Sequence, residues 1–238
     1  MNADDIKLNP QLRHQLQYVG TERVPVIVID DAVEDYDSLL TLAGQGSEYQ
    51  TQSNDFYPGI RKPIQANYIQ QLCEDLLPVL QTSFNLSNCT TSNLLLSAFS
   101  IATTQPHQLR PIQTVPHFDT TANNQLAIVH YLCEPEHGGT SFYRHRQTGF
   151  ERISEPRLEQ YSKQLKQQAV QHRLHLNPSY INGSNELFEC TATIAATPNR
   201  LIIYPSNCLH SGDIQAKTGL SASPLTGRLT TSSFIEMV

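Results

Sequence analysis

Two histidines and one aspartate have the types and spacing of a metal site. His117 and Asp119 lie two residues apart in His117-Phe118-Asp119, where the chain enters a predicted strand. Side chains at i and i+2 leave a strand on the same side, so one face presents an imidazole and a carboxylate. His210 follows an apolar run and a turn far downstream, and it is the candidate third ligand. Two histidines and a carboxylate form a facial site that suits non-haem Fe(II) and leaves coordination positions open.

The tripeptide alone is a weak signal, because the chain contains nine histidines. A histidine before a strand is commonly solvated, and Asp119-Thr-Thr also fits a turn closed by an Asx hydrogen bond. His130 lies in the middle of an apolar run, which predicts a hydrogen-bonded core histidine rather than a ligand. The metal interpretation therefore depends on the motifs that follow.

Length and charge restrict the possible functions. The 238 residues fit one domain, and the net charge of −6 has no basic block that would bind a phosphate backbone. Nucleic acid is therefore not an expected partner. The first residues lack the basic and apolar regions of a signal peptide, and no apolar run approaches the roughly 20 residues that cross a bilayer. The five cysteines have no Cys-x-x-Cys spacing, which predicts reduced thiols. We expect a cytoplasmic protein without a membrane partner.

The elements that must position these residues are mostly strands. The first 20 residues are polar and predict a surface arm, residues 56–63 predict a loop, and residues 64–84 predict a helix that Pro78 kinks or ends. A second helix, amphipathic, is predicted over 155–176. Short β-rich runs between turn residues predict strands at 24–30, 94–101, 126–132, 140–143, 187–194, 200–204 and 228–235. This series favours an antiparallel sandwich or barrel, mainly β with flanking helices (α+β). We expect one domain over 1–238, with an N-terminal arm, strand and supporting helices in 1–92 and the β core in 93–238.

Five motifs follow one another in an order that one mechanism would require: His117-Phe-Asp119, Gly138-Gly-Thr-Ser-Phe142, Asn199-Arg-Leu-Ile-Ile-Tyr-Pro205, His210-Ser-Gly212 and Arg228-Leu-Thr230. In this order the chain resembles the Fe(II)/2-oxoglutarate-dependent dioxygenases, particularly their prolyl-hydroxylase-like and phytanoyl-hydroxylase-like branches. The resemblance covers about residues 93 to 236. The chain is also similar to an uncharacterised bacterial group of that superfamily, in which the Tyr-Pro-Gly, Tyr-Arg-His-Arg and Asn-Arg-Leu-Ile-Tyr-Pro runs recur.

The resemblance implies a double-stranded β-helix, or jelly-roll, core. It implies that His117, Asp119 and His210 bind Fe(II) and that Arg228, with Thr230 on the same face, binds the far carboxylate of 2-oxoglutarate. An arginine meets that carboxylate with a planar fork. The spacing from His210 to Arg228 is longer than is usual in the family, which leaves Lys217 as a weaker substitute.

Tyr131 and Tyr143 are further candidates for contact with the cosubstrate. The implied reaction uses O2 and converts 2-oxoglutarate to succinate and CO2 while a small-molecule, amino-acid or peptide substrate is hydroxylated. A homo-oligomer is compatible with the sequence.

Two other functions fit a β scaffold of this kind. One is a cupin-like metalloenzyme that does not use 2-oxoglutarate, although the three histidines and glutamate usual in cupins cannot be assembled from this sequence. The other is a catalytically inactive jelly-roll binding protein. Use of 2-oxoglutarate predicts that the guanidinium of Arg228 points into the barrel toward the metal, a demand that a binding module does not make.

Overall fold

The fold is built from two antiparallel sheets, with three helices packed on the large sheet and one on the small sheet. The computed structural model describes residues 6–51, 56–65 and 67–238. Its strands are β1 (Arg13–Val19), β2 (Val24–Asp30), β3 (Gly59–Pro63), β4 (Ser92–Ala102), β5 (Gln125–Tyr131), β6 (Thr140–His145), β7 (Phe188–Ile194), β8 (Leu201–Pro205), β9 (His210–Gly212) and β10 (Leu229–Met237). Its α-helices are α1 (Tyr36–Gly44), α2 (Asn67–Asp75), α3 (Leu77–Phe84) and α4 (Glu155–Gln171).

The connections between the sheets are those of a jelly roll. The large sheet has the order β1-β2-β8-β5-β10-β4-β3, and the small sheet has the order β7-β6-β9. From β4 onward the chain passes repeatedly between the sheets, because β5, β8 and β10 join the large sheet whereas β6, β7 and β9 form the small one. All pairings are antiparallel. The expected mainly β class with a jelly-roll core is confirmed.

The large sheet is covered on both faces, and this explains the unbroken apolar run of β2. Ile27 and Ile29 point into a cluster with Leu72 of α2 and Leu80 of α3. Val26, between them, points the other way, into the space between the two sheets. Successive side chains of a strand face opposite sides, so a strand with two buried faces reads as continuously hydrophobic.

Two predicted irregular segments are strands. The arm predicted over the first 20 residues contains β1, which pairs along its whole length with β2. Its side chains are mostly exposed because it is an edge strand, so it carries no apolar alternation. The loop predicted at 56–63 contains β3, which pairs with β4 at the other edge. Gly59 is needed in that strand because the neighbouring backbone passes very close. A Cβ on this residue would lie 2.0 Å from the carbonyl oxygen of Ile101.

The helices differ from the prediction at their ends. The helix predicted over 64–84 is two helices, α2 and α3, separated at Leu76, and Pro78 lies in the first turn of α3, where its missing N–H has no cost. Helix α4 ends at Gln171, and turns follow to 176. Of the helices in the described part of the chain, none is long and apolar enough to cross a membrane.

Candidate metal centre

Three predicted ligands meet between the two sheets. His117 Nε2 lies 3.7 Å from Asp119 Oδ1, and His210 Nε2 lies 3.7 Å from Asp119 Oδ2. Ligand atoms of the three residues all lie within 4.8 Å of one another, and the two imidazole centroids are 4.3 Å apart. An ion bound about 2.1 Å from each ligand spans about 4.2 Å between them. Each histidine is therefore close enough to share one ion with the carboxylate.

The backbone that presents these ligands is not the predicted strand at 117–119. His117 forms a single antiparallel bridge with His210, and no regular strand continues from it. Two hydrogen bonds make this bridge, from the His117 N–H to the His210 carbonyl (2.9 Å) and from the His210 N–H to the His117 carbonyl (2.8 Å). The Asp119 N–H donates to the Ser206 carbonyl at 2.8 Å. Backbone hydrogen bonds thus hold both segments that carry the ligands, the one with His117 and Asp119 and the one with His210.

The hydrogen bonds of His210 determine which nitrogen can bind a metal. Its Nδ1 lies 3.0 Å from the carbonyl oxygen of Cys208. A carbonyl only accepts, so Nδ1 carries the proton and Nε2 keeps its lone pair. That Nε2 is the atom directed at Asp119. A second ring nitrogen held by a backbone carbonyl is the usual way in which a metal-binding histidine is oriented.

The electrostatics of the site favour neutral imidazole beside the carboxylate. Burial, followed by electrostatic interaction with His210 and Arg61, holds the pKa of His117 well below its ordinary value. Burial raises the pKa of Asp119, and interaction with the same two side chains opposes that rise. The His117 side chain is still 48% exposed, because protein surrounds the site on most sides and leaves one side open. A metal and its further ligands can enter there.

The donor set fits Fe(II). Two imidazoles and one carboxylate, all on one side of the site, leave the opposite coordination positions open. Within the described residues, this is the one group of three or more histidine, cysteine, aspartate or glutamate side chains with metal-binding spacing.

Arg228 is buried between the sheets, immediately before β10. Its Nε donates to the Gly138 carbonyl (3.1 Å) and one terminal nitrogen donates to the Gly139 carbonyl (2.7 Å). The same end of the guanidinium lies beside Gly212, two residues after His210: a Cβ built on that glycine would be 3.4 Å from it. The cation therefore faces the interior on the side of the metal ligands, and part of its hydrogen-bonding capacity already holds the Gly138-Gly139 turn.

A row of polar side chains crosses the large sheet on its inner face. Register places Arg61 of β3 opposite Ser100 of β4, Ser100 opposite Thr230 of β10, and Thr230 opposite Tyr131 of β5. The Tyr131 hydroxyl donates to the Thr140 hydroxyl of the small sheet at 2.7 Å. Directly paired residues share one face. The predicted Tyr131 and Thr230 therefore lie side by side, close to the strand end that carries Arg228.

A family model described as "Family of unknown function (DUF6445)" matches residues 10–235. The chain belongs to DUF6445. A search of the curated proteins gives no match.

Several solved structures are similar to this DUF6445 protein. HygX from Streptomyces hygroscopicus with iron bound is 11% identical with a TM-score of 0.50, and the match covers 91% of this chain and 84% of HygX. The epimerase SnoN, in complex with Fe3+, alpha ketoglutarate and nogalamycin RO, is 12% identical with a TM-score of 0.47, covering 91% and 80%. An N-substituted L-amino acid dioxygenase from Burkholderia ambifaria AMMD is 12% identical with a TM-score of 0.43, covering 95% and 94%. At such low identity, the likeness to HygX is one of fold.

Two residues that the sequence nominated for cosubstrate binding lie away from the DUF6445 metal site. Tyr143 follows Phe142 on β6 and points to the opposite face, where it packs at 6.5 Å from the Phe188 ring, whereas Phe142 faces the inter-sheet space. This placement argues against its predicted role. Lys217 is exposed in a turn after β9, whereas Arg228 is buried. Its exposure favours Arg228 over Lys217 as the predicted anchor.

The hydrogen bonds of Asn199 explain the presence of an asparagine at the start of the Asn199-to-Pro205 motif. Its backbone has a φ of 63°, in the left-handed region that asparagine tolerates better than most residues. Its side-chain oxygen accepts from the Val33 N–H (3.1 Å) and from His130 Nε2 (3.1 Å), while Nδ1 of that buried histidine accepts from the Tyr68 hydroxyl (3.3 Å). His130 is the hydrogen-bonded core histidine that its apolar surroundings predict.

Two residues near the triad escaped the sequence-based prediction. Arg61 is a positive group that acts electrostatically on both His117 and Asp119. It lies in the Tyr57-Pro-Gly-Ile-Arg61 run, whose Pro and Gly predicted a loop and gave no indication of a site. Tyr204 packs edge-on against the His210 ring, at 4.8 Å between centroids. It lies inside the Asn199-to-Pro205 motif, and the apolar composition of that motif predicts an ordinary buried strand.

Proposed function

We propose that this DUF6445 protein is an Fe(II)- and 2-oxoglutarate-dependent oxygenase that hydroxylates a small-molecule, amino-acid or peptide substrate. The proposal rests on the meeting of His117, Asp119 and His210, with mutually close ligand atoms, on the inner side of a jelly roll. HygX, which has the same fold, has been crystallised with iron. When bound, Fe(II) and 2-oxoglutarate would supply O2 activation, with succinate and CO2 as the products of the cosubstrate.

The residues around the triad fit this function. His210 offers Nε2 because its Nδ1 proton is held by the Cys208 carbonyl, and His117 is kept neutral by its surroundings. Arg228 supplies a buried cation on the same inner face, at 4% exposure. A buried cation is costly unless partners compensate it. The two glycine carbonyls and the Asp213 carboxylate, which interacts electrostatically with Arg228, supply part of that compensation. A dicarboxylate held between metal and guanidinium would complete that compensation, an arrangement that a metalloenzyme without 2-oxoglutarate does not require.

Anaerobic titration tests the proposal directly. Metal-free protein is given Fe(II) and then 2-oxoglutarate, and a weak visible charge-transfer band is expected only when both are present. With O2, succinate should form, and its rate is screened against a panel of metabolites and peptides. His210→Ala should abolish the band and the succinate.

His14→Ala is the matched control, since His14 is exposed on β1 and far from the triad in the sheet order. It should behave as the unchanged protein. An unchanged protein that gives neither band nor succinate would exclude the proposed function, and so would a His210→Ala variant that retains both.

A further inference from the structure

One short turn provides the carbonyls that hold two of the three metal ligands. The turn runs from Pro205 to Cys208 and is closed by a hydrogen bond from the Cys208 N–H to the Pro205 carbonyl (3.1 Å). The Ser206 carbonyl accepts the Asp119 N–H at 2.8 Å, and the Cys208 carbonyl lies 3.0 Å from Nδ1 of His210. The orientation of both ligands therefore depends on how this turn is held.

Asn207, the residue between those two carbonyls, is buried at 1% exposure, and both ends of its side-chain amide are hydrogen-bonded. Its Oδ1 accepts from Arg152 Nε at 3.0 Å, and its Nδ2 donates to Asn123 Oδ1 at 3.0 Å. An arginine only donates, so this contact fixes which end of the amide faces Arg152. The Asn207 carbonyl also accepts the Ile153 N–H at 2.7 Å.

The partners of the amide connect the turn to the rest of the metal centre. Asn123 lies four positions after Asp119 in the same loop, so the amide ties the turn to the loop that carries the aspartate. Arg152 forms an isolated antiparallel bridge with Cys208, at the other end of the turn. The Asn207 side chain therefore crosslinks the turn both to a ligand-bearing loop and to a segment that carries no ligand.

This use of the amide differs from the ordinary role of asparagine in a turn. Asparagine is frequent in turns because its side chain hydrogen-bonds nearby backbone groups. Both hydrogen bonds of the Asn207 amide go instead to side chains that are distant in the sequence, Arg152 at 55 positions and Asn123 at 84 positions. Groups that orient metal ligands affect metal affinity without touching the ion.

We propose that Asn207 is a positioning residue, whose amide, held by Arg152 and Asn123, sets the two carbonyls that orient Asp119 and His210 for metal binding. This inference rests on the metal centre of the proposed function. Without the amide, the turn is held less firmly, and the two ligands lose more conformational freedom when an ion binds.

Asn207→Ser keeps a residue that favours turns and removes the amide that reaches both partners. Metal-free protein is titrated with Mn(II), and the electron paramagnetic resonance signal of free Mn(II) gives the Kd. We expect the Kd to rise about tenfold or more, as for other losses of contacts behind metal ligands. Asn185→Ser is the matched control and should leave the Kd unchanged. The Asn185 side chain also holds a turn, by accepting two backbone N–H groups, but it precedes β7, at the opposite edge of the small sheet from β9.

Arg152→Met tests the same link from its other side. Removal of a positive charge would by itself tighten the binding of a cation, so a weaker affinity for Mn(II) reports lost positioning. We expect the Kd to rise. The double variant Asn207→Ser/Arg152→Met should bind Mn(II) no more weakly than Asn207→Ser alone, because both substitutions break one link. Losses that multiply in the double variant would overturn the role of Arg152.

Urea unfolding of the metal-free proteins separates positioning from stability. If Asn207→Ser is less stable but keeps the Kd of the unchanged protein, the residue only shapes the turn, and the inference fails while the proposed function stands. Should Asn207→Ser not fold, Arg152→Met decides alone, and an unchanged or lower Kd overturns the inference. If the unchanged protein binds no Mn(II), the inference and the proposed function fail together.

Discussion

His117 and His210 are joined by a reciprocal pair of backbone hydrogen bonds, 2.9 and 2.8 Å long, although they lie 93 positions apart in the sequence. The bridge places two imidazoles on one side of the small sheet's edge before any metal arrives. Asp119 is held by the Ser206 carbonyl in the same way. Preorganisation of this kind lowers the entropy lost when an ion binds, because the ligand segments are already ordered.

Metal binding should therefore stabilise a protein that is already folded. An ion that binds only the folded state at 100 times its Kd adds about 2.7 kcal/mol to the free energy of unfolding. We expect Mn(II) to raise the melting temperature of the unchanged protein, and to have no such effect on Asp119→Ala. Differential scanning fluorimetry with a metal titration measures this. Equal stabilisation of both proteins would show that the ion binds elsewhere.

The buried His130 should make stability depend on pH. Burial lowers its pKa in the folded state from 6.5 to about 4, against the smaller opposite effect of Asn199. Between these two values the unfolded chain binds more protons, so the free energy of unfolding falls as the pH falls from about 6.5 toward 4. The full difference corresponds to about 3 kcal/mol. Above pH 6.5 this contribution is complete and constant.

His130→Gln isolates that effect, since the amide can still reach Asn199 and Tyr68 but does not titrate in this range. Urea unfolding at pH 7, 6 and 5 should show a smaller loss of stability for the variant than for the unchanged protein. His145 and His117, whose pKa values are also lowered, leave a residual slope in both. Parallel slopes in the two proteins would contradict the assignment to His130.

Lys62 holds the end of α1 against β3 and should be important for stability. Its ammonium donates to the carbonyls of Leu42 (3.0 Å), Ala43 (2.7 Å) and Gln45, at the C-terminal end of α1, where carbonyls lack the next turn of helix. A cation there also interacts favourably with the helix dipole. Lys62→Met keeps the apolar stem and removes the donors, and we expect a loss of about 2 to 4 kcal/mol in the free energy of unfolding.

Chemical denaturation measures the loss, with Lys166→Met as the control. Lys166 is exposed on α4, so that replacement should change stability by less than about 0.5 kcal/mol. A cost for Lys62→Met as small as that of the control would mean that water serves those carbonyls equally well.

The sequence predicted the parts of the fold that local pattern encodes. The apolar β-branched runs of β2 and β8 marked strands within one residue of their ends, because both faces of the large sheet are buried. β1 and β3 were missed, since edge strands can be polar or begin at a glycine. The resemblance nominated all three triad residues, but composition cannot say which face a residue takes. Tyr143 and Phe142 are neighbours of similar character, and only the pairing of β6 separates them.

Arg61 illustrates the same limit, because its place beside the triad depends on a register between β3 and β4 that no local pattern encodes. Its positive charge lowers the pKa of His117, which means that it disfavours added positive charge at the site. The same charge attracts an anion. Arg61→Gln should therefore tighten metal binding and weaken 2-oxoglutarate binding, two changes of opposite sign from one substitution.

Each effect should be roughly two- to fivefold, the size expected for a charge several ångströms away in a partly solvated site. Calorimetric titration of Mn(II), then of 2-oxoglutarate into the Mn(II) protein, measures both. Raising the salt concentration should shrink both effects, because screening acts on charge and not on shape. Arg13→Gln is the control, since Arg13 is exposed on β1. If Arg61→Gln weakens metal and cosubstrate alike, the side chain acts by supporting the structure of β3, and its charge is not what the site uses.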